Sequence, residues 1–120
     1  LSDSAHAPTI NGGVVIKHNC MQRYTTDAVS DAIFSAICER ACVPTQHFTN
    51  RSDMPGGSTL GSIANSHLPV NSVDIGLAQL AMHSAYETAG VIDLSHMISA
   101  MKCFFSSGII ASRDGAWELI

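Results

Sequence analysis

A strand, a helix and a second strand follow one another in the first half of the chain, and this order constrains the fold most. Val14–Ile16 is a short run of β-branched residues, which is typical of a buried strand. Thr25 or Thr26 can cap the helix that follows, and Pro44 ends it. Gln46–Arg51 is predicted to be the next strand. Strands that alternate with helices predict an α/β sandwich.

The helix between these strands is predicted to bury one face. Asp27 lies in its first turn and Arg40 suits its last turn, so both charges complement the helix dipole. Apolar residues recur at the spacing of a single helix face. The predicted inner face comprises Val29, Ile33 and Ile37, backed by Ala28, Ala32 and Ala36.

The stretch Val73–Glu87 is a candidate location for the chemistry of the chain, because an apolar run ends there abruptly on His83. Its composition, with one break at Gly76, predicts a buried strand with a bend. A strand end that faces a crevice commonly holds a ligand. His83 is therefore either a ligand or a structural histidine, and its position alone leaves both open.

Two further helices are predicted in the second half of the chain. The first is a short helix over Thr59–Ser66, and the last begins with Asp93 as its N-cap and closes at Gly108. The stripe predicted to form core comprises Leu94, Met97, Ile98, Met101, Phe104 and Phe105. The tail ends in three apolar residues, Trp117, Leu119 and Ile120. We expect this tail to dock on a partner or on a missing part of the same fold.

Composition restricts the classes of partner. The 120 residues carry a formal net charge of -4, and no run of Lys or Arg is present, so a nucleic-acid surface is not expected. No apolar window approaches the roughly 18 residues of a membrane span, and the N-terminus lacks the regions of a signal peptide. The absence of an initiator Met predicts that the chain is a piece of something longer.

The cysteines predict free thiols rather than a metal or disulfide framework. Cys20, Cys38, Cys42 and Cys103 form no CxxC pair. Cys38 and Cys42 are four apart and are predicted to share a helix face. Free thiols indicate a reducing compartment, so we expect a cytoplasmic protein.

Five sequence blocks occur in an ordered set that is more specific than any one of them. The blocks are Asp3–Ala7 (DSAHA), Gly13–Asn19 (GVVIKHN), Gln22–Tyr24 (QRY), Arg51–Thr59 (RSDMPGGST) and Gln79–Ser84 (QLAMHS). Together they closely resemble the C-terminal part of the catalytic domain of the M18 aminopeptidases, the family that includes aspartyl aminopeptidase. The resemblance continues almost to Phe105. It implies that residues 1–120 are one C-terminal segment of such a domain.

What the resemblance implies is a three-layer α/β sandwich with a mixed sheet, similar to other zinc exopeptidases. Enzymes of this family use two zinc ions that share a bridging carboxylate and a water, with a glutamate as general base. The implied substrates are peptides with N-terminal residues to be removed, possibly acidic ones, and the implied assembly is a homo-oligomer, a dodecamer in the family.

The resemblance also assigns individual residues. Asp3 matches the carboxylate ligand of one zinc ion, and His83 matches the imidazole ligand of the other. His6, Lys17 and Tyr24 match substrate-contacting positions. The Tyr24 phenol can donate a hydrogen bond to a developing oxyanion, which would give it a catalytic role, and Lys17 can read an acidic side chain. From the residues alone, ordinary structural roles stay open: a loop cap for Asp3 or His6, a solvated charge for Lys17, and packing for Tyr24.

The chain also departs from the family pattern. The other zinc ligands, the bridging aspartate and the general base lie upstream of the Asp3 block and are absent from these residues. The segment between His6 and Gly13 is shorter than in the family, and Tyr86, Gly56 and Ala78 stand where other residues are usual. We therefore expect the isolated 120 residues to be inactive.

A second function class stays open, in which the chain is a binding or assembly module that keeps the peptidase fold without catalysis. The apolar tail and the Met-rich last helix would then form a protein interface. Acyl transfer through Cys20 or a Ser–His pair ranks last, because no motif supports it.

Overall fold

A computed structural model describes residues 7–18, 28–49, 72–80, 84–111 and 116–120. The predicted helix over Thr59–Ser66 and the predicted cap at Thr25 or Thr26 lie outside these residues. The elements in chain order are β1 (Val14–His18), α1 (Ala28–Arg40), β2 (Thr45–Thr49), β3 (Ile75–Gly76), β4 (Gln79–Leu80), β5 (Thr88–Ala89), α2 (Val91–Ser106), β6 (Ile109–Ala111) and β7 (Trp117–Leu119).

The central sheet has the strand order β2-β1-β3. β1 runs parallel to β2 and antiparallel to β3, so the sheet is mixed. In the parallel pair, Ile16 is opposite His47 and His18 is opposite Thr49. The prediction of an α/β chain with a mixed sheet is therefore confirmed.

The core forms on the face of β1 that carries alternate residues Val14 and Ile16, both fully buried. These side chains cluster with Phe34 and Cys38 of α1 and with Ala100 of α2. Both helices thus pack on the same face of the sheet. The third layer of the predicted sandwich stays a prediction, because the described helices supply only one layer over the sheet.

The inner face of α1 differs from the predicted one. The buried residues are Ser30, Phe34, Ile37 and Cys38, whereas Ala28, Val29, Ala32 and Ala36 are exposed. The predicted and the observed buried residues both have helical spacing, and both sets include Ile37. The observed face is rotated about the helix axis by about 100°, which is the angle between successive residues. The predicted stripe, apart from Ile37, instead lines a groove beside β6 and β7.

α2 begins three residues before its predicted start, and most of its apolar stripe is exposed. Gly90 is the N-cap, so Asp93 lies inside the first turn rather than at the cap. Leu94, Ile98 and Phe104 are exposed, and Phe105 keeps 78% of its surface. The helix ends at Ser106, before the predicted closure. The interpretation of this stripe as core holds for Met97, which is half-buried against the core, and was wrong for the four exposed residues. The fully buried residues of α2 are Asp93 and Ala100.

The stretch predicted as one bent strand from Val73 is two short strands. β3 pairs with β1 in the central sheet, whereas β4 pairs with β5 as a separate antiparallel pair. The chain leaves the sheet after Gly76, and Leu80 is 60% exposed because no described layer covers β4. The bend was predicted correctly, but the continuous burial was not.

The C-terminal hairpin docks on α1 of the same chain. β6 and β7 are antiparallel, and Gly108 and Ile120 exchange two backbone hydrogen bonds of 3.0 and 2.8 Å. The Arg40 guanidinium donates to the carbonyl oxygens of Leu119 and Ile120 at 3.1 and 3.0 Å. The tail therefore contacts α1 of this chain, while Trp117 and Ile120 stay exposed by 41% and 57%, and docking on a partner or on a missing part stays a prediction.

A buried carboxylate joins the N-terminal loop to α2. Asp93 is fully buried, and its oxygens accept backbone hydrogen bonds from Asn11 at 2.7 Å and Gly13 at 2.9 Å. Gly13 has a φ of 113°, and a Cβ there would come within 2.2 Å of the Pro44 carbonyl oxygen. The carboxylate and the glycine together fix the turn that leads into β1.

Cys38 and Cys42 do not share a helix face. α1 ends at Arg40, and Cys42 lies in the following turn with a φ of 58°. Cys38 is buried, which together with the nearby Cys103 raises the pKa of its thiol to about 11. Within the described ranges, Cys38, Cys42 and Cys103 are free thiols.

Candidate functional site

Two histidines and an aspartate converge beside the ends of β1 and β2. Nε2 of His18 lies 2.7 Å from Oδ2 of Asp31, and Nε2 of His47 lies 3.2 Å from Oδ1 of the same carboxylate. The two imidazole rings are stacked, with centroids 5.7 Å apart and planes at 29°. We call these three residues the His–Asp–His cluster.

The fold sets these positions through strand register and side-chain alternation. His18 follows Ile16 on the core face of β1, two residues further along, where the core ends. His47 is directly opposite Ile16 on the parallel neighbour β2. Asp31 occupies the first turn of α1, which packs over this face. Each member of the cluster therefore lies on a regular element rather than on a loop.

Hydrogen bonds favour the ionised form of Asp31. Burial opposes ionisation, but hydrogen bonds with His47, Ser35 and His18, together with the charge of His47, outweigh it and hold the pKa of Asp31 below its usual value. The Ser35 hydroxyl donates to Oδ1 at 2.9 Å from one helical turn further on. The N-terminal position in α1 adds favourable interaction with the helix dipole.

The donor atoms suit a hydrogen-bond network or a metal ion. One ligand atom from each residue lies within 4.8 Å of the others. Two imidazole nitrogens and a carboxylate oxygen form a typical set of protein ligands for a divalent transition metal. The His47 side chain is 53% exposed, whereas those of His18 and Asp31 are 28% and 20% exposed, so the cluster opens to solvent on the β2 side.

Lys17, predicted to contact substrate, lies next to the cluster in sequence but on the other face of β1, because strand residues alternate. Its backbone N–H donates to the Asp74 carbonyl at 2.9 Å. Its side chain crosses Gly76, where an added Cβ would come within 3.1 Å of Cε and 3.4 Å of Nζ. The bare backbone of Gly76 therefore leaves room for the half-buried lysine.

The other predicted site residues, Asp3, His6, Tyr24 and His83, lie outside the described residues. The predicted convergence of Asp3 and His83 on one crevice stays a prediction. The His–Asp–His cluster was missed from the sequence. Histidines at positions 18 and 47 of two predicted adjacent strands were the signal that could have found it.

The fold defines an α/β chain whose polar side chains gather at strand ends, the usual place for ligand sites in mixed and parallel sheets. The model of the family described as aminopeptidase I zinc metalloprotease (M18) matches residues 2–105. A probable M18 family aminopeptidase 2 of Pseudomonas paraeruginosa is 46% identical over 105 residues, covering 88% of this chain and 24% of the relative. The chain belongs to the M18 aminopeptidase family.

Solved structures agree with this assignment. The cryo-EM structure of the Ape4 and Nbr1 complex contains a chain that is 34% identical, with a TM-score of 0.83 over 87% of this chain and 20% of that one. A dodecamer of S. cerevisiae mApe1 is similar in fold, with a TM-score of 0.69 and 24% identity over 87% of this chain and 22% of that one. The chain spans about a quarter of the length of its curated relatives. None of the described helices is long and apolar enough to cross a membrane.

Proposed function

We propose that residues 1–120 form the C-terminal part of the catalytic domain of a zinc aminopeptidase that removes N-terminal residues from peptides. The observation that carries this proposal is the family match over residues 2–105. The 46% identity to an M18 aminopeptidase supports it. The remaining zinc ligands and the general base would come from the part of such an enzyme that these residues do not include.

In this proposal, Asp3 and His83 each ligate one ion of a zinc pair. Bound zinc supplies Lewis acidity toward the scissile carbonyl and lowers the pKa of a bound water. A carboxylate and a neutral imidazole are ordinary zinc ligands, so both residue types fit the role. His6 and Tyr24 contact the substrate, and the Tyr24 phenol donates a hydrogen bond to the developing oxyanion.

Lys17 is proposed to bind an acidic side chain of the substrate. Its place on β1, half-buried above Gly76, supports this role because a lysine held against a strand loses less freedom on binding. Preference for acidic residues is then an electrostatic preference, since a fixed positive charge favours a carboxylate over an apolar side chain.

The proposal extends to the cellular compartment and the oligomeric state of the enzyme. We propose a cytoplasmic enzyme, which is consistent with free Cys38, Cys42 and Cys103. The mApe1 dodecamer supports a homo-oligomer as the assembly. In the same proposal the sheet is completed as a three-layer sandwich, with further helices on the face opposite α1 and α2.

The test begins with the intact mass of the protein at its natural length, followed by peptide hydrolysis with and without a chelator. A mass well above 12.7 kDa, with turnover that the chelator abolishes and His83→Ala removes, is the expected result. His96→Ala, on α2, is the matched control and should retain turnover. A 12.7 kDa protein with no turnover would instead favour the assembly module, for which the exposed stripe of α2 is the supporting observation.

The role of Lys17 has its own test. In the complete enzyme, Lys17→Met should reduce kcat/KM on substrates with N-terminal Asp or Glu by at least about tenfold and leave Leu substrates little changed, because one charged contact contributes about 1.5–3 kcal/mol. Equal loss on acidic and neutral substrates would mean that Lys17 supports the fold alone.

The isolated 120 residues should be catalytically inert. One matched ligand for each of two ions is too few, since a catalytic zinc ordinarily has three protein ligands and a water. Chelator-sensitive turnover from a chain confirmed by mass at 12.7 kDa would contradict this expectation.

A further inference from the structure

We propose that the His–Asp–His cluster of His18, Asp31 and His47 is a binding site for one divalent transition metal ion, with zinc as the best fit. The site shares no residue with Asp3 and His83, the positions matched to zinc ligands. It therefore adds a metal site to those that the M18 resemblance implies.

Convergence of the donors is the first argument. Each Nε2 faces a different oxygen of the same carboxylate, at 2.7 and 3.2 Å. Tetrahedral bonds of about 2.0–2.1 Å to nitrogen and oxygen separate neighbouring donors by about 3.3 Å. The His47 contact already has this separation, and the His18 contact needs to open by only about 0.6 Å. The three ligand atoms lie within 4.8 Å of one another, so binding requires the side chains to rotate until all three reach this separation.

Rigid support is the second argument. His18 and His47 lie on hydrogen-bonded parallel strands in fixed register, and Asp31 lies on the helix that packs against them. A site built on strands and helices holds its donors more precisely than a site on loops. The Ser35 hydroxyl orients the carboxylate through its 2.9 Å hydrogen bond to Oδ1. Metal ligands in proteins are commonly oriented by such hydrogen bonds from neighbouring residues.

The chemistry of the donors is the third argument. Both imidazoles contact the Asp31 carboxylate, at 2.7 and 3.2 Å, so a carboxylate oxygen lies beside two nitrogen ligands. With both Nε2 atoms unprotonated, each imidazole directs a lone pair toward the same carboxylate group, and a cation there replaces the two hydrogen bonds. Two nitrogens and one oxygen favour zinc, cobalt or nickel over magnesium and calcium, which prefer oxygen ligands.

The exposure of His47 determines which further ligand such an ion would have. Three protein donors leave at least one coordination position, and the half-exposed His47 places that position toward solvent. The ion would therefore hold a water molecule and exchange readily with added metal. A chelator should remove it from the folded protein.

The experiment uses the purified protein at its natural length, stripped with a chelator and titrated separately with Zn²⁺ and Co²⁺. Bound metal per chain is counted by elemental analysis, and the cobalt ligand-field absorption reports the donor set. His47→Gln should bind one equivalent fewer per chain, or bind that equivalent at least about tenfold more weakly. Loss of a residue that only hydrogen-bonds a metal ligand already weakens binding by about tenfold or more, and loss of a ligand should cost no less. Asp31→Asn should weaken the same equivalent.

Two controls make the result specific. His96→Gln removes a histidine outside the cluster and should keep the wild-type count and cobalt spectrum. His83→Ala should also keep the cluster equivalent, so failure of the proposed zinc pair is distinguished from failure of this site. Equal counts and affinities in wild type, His47→Gln and Asp31→Asn, with folding verified by circular dichroism, would overturn the site and leave a hydrogen-bond network.

Discussion

The two long helices of this chain differ in how far they bury their apolar side chains. α1 buries Phe34, Ile37 and Cys38 against β1, and each keeps no more than 3% of its surface exposed. α2 is longer and more apolar, yet it exposes Leu94 and Phe105 by 56% and 78%. Apolar spacing therefore marks a surface that packs against something, without telling whether that partner lies within these residues.

The difference between the helices is consistent with a chain that spans only 24% of the length of its relative. β1, α1 and the inner side of α2 form a core within the described residues, whereas the outer stripe of α2 has no described cover. In the complete enzyme that we propose, this stripe is where the remaining part of the domain packs. A contiguous exposed apolar surface commonly marks an interaction site.

The largest expected effect compares one phenylalanine from each helix. Phe34→Ala should lower the free energy of unfolding by about 4 kcal/mol, because it empties a buried site beside β1. The matched variant Phe105→Ala should change it by less than about 0.5 kcal/mol in the 120-residue chain. Urea denaturation measures both, and similar losses would show that α2 is covered after all.

A smaller effect is expected at the buried carboxylate that holds α2 to the N-terminal loop. Asp93→Ala leaves the backbone N–H groups of Asn11 and Gly13 without their acceptor and should cost about 2–3 kcal/mol. Glu39→Ala, at an exposed position of α1, is the control and should be nearly neutral. Loss of less than about 0.5 kcal/mol for Asp93→Ala would mean that water replaces the carboxylate.

Asp31 should give a pH-dependent effect smaller than that of Asp93. Its pKa in the folded chain is below the usual 3.8, so its stabilising contribution is fully present above that value. The contribution is lost as the pH falls through the folded-state pKa. The stability advantage of the wild type over Asp31→Asn should therefore shrink at acid pH, and an advantage that is constant from pH 7 to the acid limit would contradict it.

The smallest effect leaves stability unchanged and concerns thiol reactivity. Cys42 is exposed, whereas Cys38 is buried with a thiol pKa of about 11. Iodoacetamide near neutral pH should label Cys42 in the folded protein and label Cys38 only after denaturation, because the thiolate is the reactive form. Peptide mass mapping reads both sites, and equal labelling rates would show that the core around α1 opens readily.

Local patterns predicted the first two strands and the two long helices, but not the hairpins β4–β5 and β6–β7. The β-branched run at Val14 and the breaks at Pro44 and Gly76 act on the chain within a few residues, so β1, the end of α1 and the bend after β3 were all foreseeable. The buried face of α1 was not. Its two apolar series share Ile37, and only the position of the sheet selects the one that contains Phe34.

The site was less predictable than the fold for a similar reason. His18, Asp31 and His47 come from three elements, separated by 13 and 16 positions, and meet only because β1 and β2 pair in one particular register. Spacing rules for metal ligands describe neighbours on one helix or turn, so they miss such a cluster. Asp3 and His83 were assigned by resemblance, and no rule of spacing joins them.

The two hydrogen bonds between the Asn11–Gly13 turn and Asp93 also affect when this turn can form during synthesis. The carboxylate lies 80 and 82 positions after the two N–H groups that it accepts. At about 5–20 residues per second, a ribosome needs on the order of ten seconds to supply it. The turn that leads into β1 must therefore wait without this acceptor until the ribosome has added the 80 residues up to Asp93, and contacts of such long range slow folding. β1 is thus synthesised well before this anchor of its leading turn can form.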